Sequence, residues 1–195
     1  MVKSNTNGDL GALKFTTQKY YRINGGSTQL EGVKSDIVVP DKYTYVDFGE
    51  KDQENPLEWD MIEPVSYEPW KSLFDYNKTI DASKNRMKSS EFIRLIDENA
   101  KWIKSIRDRD IYTLNYRKFK KDLLLNEEKV KKYKKLSDYS SDLTFKSLPY
   151  EIDLIAKDSS LGEKRKRWHK NLSKDIYVNE SLNVLNDLRL SYVER

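Results

Sequence analysis

Cysteine is absent from this chain of 195 residues, and histidine occurs once, at position 169. The absence of thiols excludes disulfide bonds, thiolate zinc sites and cysteine nucleophiles. A single histidine also excludes any metal site that needs two imidazole ligands. Gly25 and Gly26 lack the spacing of a phosphate-binding loop. We therefore expect no cofactor, no metal ion and no cysteine-based catalysis.

Long apolar runs are also missing. No stretch of about 18 apolar residues occurs, so the sequence predicts no transmembrane segment. The first five residues lack the apolar core of a signal peptide, and we recognise no targeting segment in this chain.

Charge is distributed unevenly. Residues 1–64 hold seven of the 36 Lys/Arg and eleven of the 32 Asp/Glu, which gives a net charge of −4. Residues 65–195 hold the other 29 Lys/Arg and 21 Asp/Glu, which gives a net charge of +8. The basic segments 118–121 and 129–135 have two interpretations. One is a nucleic-acid or anionic-surface footprint, and the other is a solvated helix face whose lysine stems cover apolar surface. Glu127 and Glu128 interrupt the basic run, which favours the second, and we expect no nucleic-acid partner.

Glycine marks a change of architecture, because six of the seven glycines precede residue 50. We predict strands over 13–22, 36–40 and 43–46, with a turn at 24–27. Two or three strands do not form a stable sheet alone. They are either a hairpin packed on helices or, as we favour, members of a larger sheet.

Helical spacing of apolar residues begins after residue 65. Ser90 and Asn115 are predicted N-caps of two long helices. The predicted helices cover 92–106, 116–136, 161–172 and 178–192, a weaker one covers 70–84, and 137–150 is predicted as a loop. The predicted fold class is therefore α+β, with a small β-rich N-terminal segment and an incomplete sheet, followed by a mainly α-helical domain.

Catalytic groups are hard to find in this sequence. His169 lies within the basic run 164–170 and is interpreted as a solvated residue on a helix face. Carboxylates are scattered one turn from Lys or Arg, a pattern typical of exposed ion pairs. No set of residues combines a nucleophile, a base and oxyanion donors. As it stands, the chain is not expected to be a complete enzyme.

Residues 11–40 resemble the end of the protease domain in carboxy-terminal processing, or tail-specific, proteases, which are bacterial Ser–Lys endopeptidases. The elements Thr-Thr, Tyr-Tyr-Arg, Gly-Gly-Ser-Thr-Gln and Asp-Ile occur in order at the family's spacing. Residues 49–60 resemble the junction of the long periplasmic branch, and 175–185 resemble the close of its helical domain. Between about 65 and 170 only length, helicity and charge are similar. The positions that carry over as structural motif residues are Thr16, Thr17, Tyr20, Tyr21, Arg22, Gly25, Gly26, Ser27, Gln29, Gly32, Asp36, Pro40 and Trp59.

The resemblance implies three parts: the end of a protease domain over 1–48, a linker over 49–65 and a helical domain over 66–195. The family's nucleophile lies in a Ser-Ala-Ser-type motif and its base in a Gly-Lys-Gly-Thr-Val-Gln-type motif. Neither string occurs here, so no catalytic residue carries over. The expectation is an inactive C-terminal fragment of a periplasmic endopeptidase that cleaves proteins with apolar C-terminal tails.

The partners implied are protein substrates, the upstream protease and PDZ domains, an adaptor protein and, through exposed strand edges, a second copy of the chain. The helical domain would support the protease and PDZ parts or position substrates and adaptors. One alternative is an independent basic helical module that binds nucleic acid or an anionic surface. Another is a helical domain that acts only as a stabilising clamp.

Overall fold

The structure is a computed structural model, and it describes residues 16–46, 49–70 and 72–192. The chain divides into two compact units. The first comprises residues 1–35 and 47–70, and the second comprises 36–46 and 71–195. The predicted boundaries at residues 48 and 65 concern the domains of the resembled family, and they stay a prediction. The two units are defined by contacts between Cα atoms, and they group the segments of the chain differently.

Six α-helices form the second unit within the described residues. They are α1 Tyr76–Ser89, α2 Glu91–Arg107, α3 Tyr116–Lys134, α4 Pro149–Lys157, α5 Ser159–Ser173 and α6 Ile176–Leu190. A 3-10 turn, Lys135–Asp138, extends α3. No helix in the described residues is long and apolar enough to cross a membrane.

Side-chain caps explain where most of these helices begin. Ser90 accepts a hydrogen bond from the Ile93 amide, and Asn115 accepts one from the Lys118 amide, as predicted. Aspartates at 75, 158 and 175 cap α1, α5 and α6 in the same way. α4 is not among the predicted helices, because it is short and its Pro149 falls at the end of the predicted loop 137–150. Proline is favoured at the first position of a helix, where its missing N–H costs nothing.

The apolar core of the second unit lies on α2. Ile93, Ile96 and Ala100 are the only buried hydrophobic residues in the part of the chain described, and their spacing of three and four puts them on one face. α1 and α3 pack on α2, while α6 packs on α1 and α5, and α4 packs on α5. Trp102 of α2 meets Tyr133 of α3 with ring centroids 5.3 Å apart.

The predicted α+β class is wrong, because the described residues contain no sheet. Residues 16–46 make only isolated bridges, such as Tyr21 with Ser27 and Gly26 with Met61. The start of the first predicted strand, 13–15, lies outside the described residues. Residues 36–40 and 43–46 are irregular, and the second range is largely a turn. Their apolar side chains lie against helices: Val38 and Pro40 line a depression with Met87 and Ile93. Val38 is nevertheless 69% exposed, and no apolar side chain of residues 36–46 is buried.

Candidate functional site

Two segments of the first unit are fastened together, and we call residues 19–29 and 58–65 the clip. Three backbone hydrogen bonds join them: the Ser27 amide donates to the Asp60 carbonyl over 3.0 Å, Ile62 to Gly25 over 2.9 Å and Val65 to Ile23 over 2.9 Å. These bonds fix the register of residues 58–65 against the turn at 24–27.

Gly25 allows this close approach. Its φ of +83° lies in the left-handed region, and a Cβ added there would lie 2.1 Å from the carbonyl oxygen of Ile62. The six-membered ring of Trp59 lies against Gly26, 3.4 Å from where its Cβ would be. Two glycines and a tryptophan of the family pattern are thus explained by one packing arrangement.

Asp60 is the polar centre of the clip. Its Oδ2 accepts hydrogen bonds from the Tyr21 hydroxyl over 3.0 Å and pairs with Lys19 Nζ at 3.2 Å. Burial acts to raise the pKa of the Asp60 carboxyl, but the bonds from Tyr21 and Lys19 outweigh burial and lower that pKa. The same hydrogen bond raises the pKa of Tyr21. Asp60 and Lys19 were not predicted as site residues, although both stand inside the strings that carry the resemblance.

The clip accounts for only part of the predicted set. Tyr21, Gly25, Gly26, Ser27 and Trp59 converge there, and Gln29 Nε2 donates to Glu50 over 2.6 Å within the same unit. Side chains of Thr16, Thr17, Tyr20 and Arg22 are exposed, and Gly32 forms a turn with φ +60°. Asp36 and Pro40 belong to the second unit, where the Pro40 carbonyl accepts a hydrogen bond from Tyr177. The structural roles predicted for the motif residues in a parent protease remain predictions.

An apolar cleft of about 630 Å³ opens in the second unit. Phe92 and Ile96 of α2, with Leu136, Tyr139 and Ile176, form its walls. Burial raises the pKa of Tyr139, chiefly through loss of solvent. Charged side chains of both signs also line the cleft: Asp41, Lys42, Lys174 and Asp175. Such a cleft can hold an apolar side chain of a polypeptide, but it brings no nucleophile and base together.

A buried ionic network joins α1 to α6. Glu180, 6% exposed, accepts hydrogen bonds from the hydroxyl of fully buried Ser83 over 2.6 Å and from Arg86 Nη2 over 2.9 Å. Arg86 also pairs with Asp187. Hydrogen bonding to Glu180 is the main cause of a raised pKa of Arg86. The sequence patterns do not predict these residues. The available signal was the spacing of three between Ser83 and Arg86 and of seven between Glu180 and Asp187, which puts each pair on one helix face.

Neither buried serine of the described residues has a lysine or histidine partner. Ser27 Oγ accepts from the amides of Gln29 and Asp60, and Ser83 donates to a carboxylate. His169 is half-buried on α5 rather than fully solvated. In the described ranges no group of three Asp, Glu or His side chains is arranged to hold a metal ion.

Comparisons with known proteins agree with the resemblance in the sequence. Residues 43–189 match the family described as "C-terminal domain of tail specific protease (DUF3340)". A protein of Haemophilus influenzae (strain ATCC 51907 / DSM 11121 / KW20 / Rd) described as "Tail-specific protease" is 36% identical over 113 residues. This alignment covers 55% of the chain but 16% of that relative. No solved structure matches the chain.

Proposed function

This chain belongs to the family of the C-terminal domain of tail-specific proteases, and from that premise we propose that it serves as the C-terminal part of a periplasmic tail-specific serine endopeptidase. The parent protease cleaves proteins that carry apolar C-terminal tails. Support comes from the family match over 43–189 and from the resemblance of residues 11–40 to the end of the protease domain. The periplasmic setting follows from the branch that the junction and the C-terminal helix resemble.

Catalysis on this proposal belongs to other parts of the protease. The Ser-Ala-Ser-type and Gly-Lys-Gly-Thr-Val-Gln-type strings are missing from the sequence, and Ser27 and Ser83 have no lysine or histidine partner among the described residues. A Ser–Lys mechanism needs a lysine whose pKa is lowered by burial so that it can accept the serine proton. The chain by itself is therefore inactive.

The role we propose for the helical unit is to support the protease and PDZ parts and to position substrates or an adaptor. The observation that carries this proposal is the clip. It uses the family-motif residues to fix the segment 58–65, which precedes α1 in the sequence, against the turn at 24–27. A motif conformation that depends on backbone register is what a structural junction requires. The cleft of the second unit is the candidate place for an apolar side chain of a substrate or adaptor.

Three measurements test this proposal. The purified chain should not cleave an unstructured polypeptide with an apolar C-terminal tail, and a serine-directed covalent probe should not label it, with an active serine peptidase as the control. An antibody raised against the chain should detect, in cell extracts of the source, a product several times heavier than 23.1 kDa. Turnover that survives repurification contradicts the missing dyad, and a cellular product of 23 kDa alone contradicts the parent protease.

One observation favours a second function, an independent basic module for nucleic acid or an anionic surface. α3 carries eight Lys/Arg against three Asp/Glu and buries none of its residues. Of its cations, only Lys132 forms an ion pair within the described residues, with Glu98. Salt-dependent binding of duplex DNA by the purified chain, together with a cellular product of its own mass, would favour this function over the protease.

A further inference from the structure

Residues 111–119, which we call the ridge, are the most exposed apolar stretch of the second unit. Leu114 is 102% exposed and Ile111 85%, and Tyr112, Tyr116 and Phe119 are each about half-exposed or more. Side chains of this size are normally covered when they occur together, and a contiguous exposed group marks an interaction surface.

Cations without partners border the ridge. Arg107, Arg117, Lys118, Lys120 and Lys121 form no ion pair in the described part of the chain. The nearby aspartates are mostly engaged, because Asp108 pairs with Lys104 and Asp122 with Arg109. Among the described residues 107–122, only Asp110 is left as an opposing charge, so the ridge lies in a positive field.

The first two turns of α3 separate most of these residues, although Lys120 falls about 40° from Tyr116, on the apolar side. At about 100° per residue, Tyr116 and Phe119 fall on one side of the helix. Arg117, Lys118 and Lys121 fall on the other side. Apolar and aromatic side chains on one side with lysines on the other are the pattern of helices that lie in a membrane interface.

We propose that the ridge docks on a lipid surface with anionic headgroups. Ile111 and Leu114 enter the boundary between headgroups and acyl chains, the tyrosines lie at headgroup level, and the cations contact phosphates. Two features favour this occupant over others. Lysine is depleted at protein–protein interfaces, where arginine is preferred, and exposed aliphatic tips have no role in contacting nucleic-acid phosphates. The proposal goes beyond the protease role and does not depend on it.

Vesicle co-sedimentation of the full chain tests this docking. We expect strong partition into vesicles of about three parts phosphatidylcholine to one part phosphatidylglycerol, weak partition into phosphatidylcholine alone, and release by salt. Ile111→Ser/Leu114→Ser should weaken partition about tenfold or more. Lys118→Gln/Lys121→Gln should weaken it on the order of thirtyfold, since each cation contributes about fivefold.

Control variants change residues of the same types that are exposed elsewhere in the second unit. Leu185→Ser/Leu190→Ser changes two exposed leucines of α6, 60% and 71% exposed, and Lys164→Gln/Lys170→Gln changes two exposed lysines of α5. Both should partition as the unchanged chain does, and helix content from circular dichroism should be the same for all four variants. Absence of partition, equal partition into neutral vesicles, or equal loss in the control variants overturns the proposal. Binding of duplex DNA in preference to anionic vesicles overturns it as well.

Discussion

The two units are stabilised in different ways. In the first unit, backbone hydrogen bonds join the two segments of the clip, and no large hydrophobic side chain is buried among the described residues of that unit. In the second unit, helix packing on α2 and the ionic network of Arg86 provide the contacts. A unit that is stabilised by backbone hydrogen bonds is sensitive to substitutions that change a residue's φ or that separate two closely packed backbone segments. A unit that is stabilised by side-chain packing is sensitive to changes in side-chain volume and to charges left without a partner. Four predictions test this contrast.

The largest effect is expected from removing Arg86. Arg86→Met leaves Glu180 buried without its cation, which should cost about 3–5 kcal/mol in the free energy of unfolding. Chemical denaturation of the second unit measures this loss. Arg86→Met/Glu180→Met should recover most of it, because the uncompensated charge is gone. Lys166→Met removes an exposed ion pair with Glu163 and should change stability by about 0–1 kcal/mol. Equal losses in the single and double variants would contradict the role assigned to the network.

Core volume should matter next. Ile96→Ala removes three carbons from one of three buried apolar residues and should cost about 2–4 kcal/mol. Thermal unfolding of the variant tests this. Ile106→Ala on the same helix, where the side chain is 41% exposed, is the control and should cost clearly less. Similar losses at both positions would mean that α2 does not carry the core.

The clip should respond to a single methyl group. Gly25→Ala forces an alanine into the left-handed region, which should destabilise the clip by about 1–2 kcal/mol. It also places a methyl group against the Ile62 carbonyl oxygen. Hydrogen exchange at the Ser27, Ile62 and Val65 amides should accelerate strongly, while the α2 amides stay protected. Gly32→Ala, with φ +60° and no atom within 4 Å of its Cβ, carries the conformational cost alone. If both variants exchange alike, the close approach at Gly25 is not what holds the clip.

The smallest effect is expected from pH. The pKa of Asp60 is lowered in the folded chain, so its contribution is present above its ordinary value of 3.8 and is lost as pH falls through the folded value. The pKa of Tyr21 is raised, so its contribution is present below 10.0 and is lost as pH rises through the folded value. Protection of the clip amides, measured as exchange relative to the intrinsic rate at each pH, should therefore fall at both limits. Asp60→Asn should remove the loss of protection at low pH. It should also bring the pKa of Tyr21, measured from the NMR resonances of its ring, towards 10.0. Asp153→Asn, an exposed residue of α4, should change neither.

Sequence patterns predicted the helical unit well where an amphipathic face and a cap coincide. Ser90 with the apolar series of α2, and Asn115 with α3, are examples. α4 is not predicted because its nine residues make too few helical turns for a 3.6-residue spacing of apolar side chains to be recognised. Motif residues of the clip were found by resemblance, but Asp60 was not, because its partners Lys19 and Tyr21 are some forty positions away in the sequence. Distant pairing of polar groups leaves no local period to detect.

By itself, the sequence determined the family and the positions of the main helices, since these depend on local strings, caps and the residue types present. Tertiary structure alone decided that residues 36–46 join the helical unit instead of a sheet, that Glu180 is buried with Arg86 and Ser83, and that Gly25 lies against Ile62. The physical reason is that short apolar segments and polar side chains take whichever partner the folded chain brings near. An alternating pattern fixes which side chains are apolar, not whether a strand or a helix covers them.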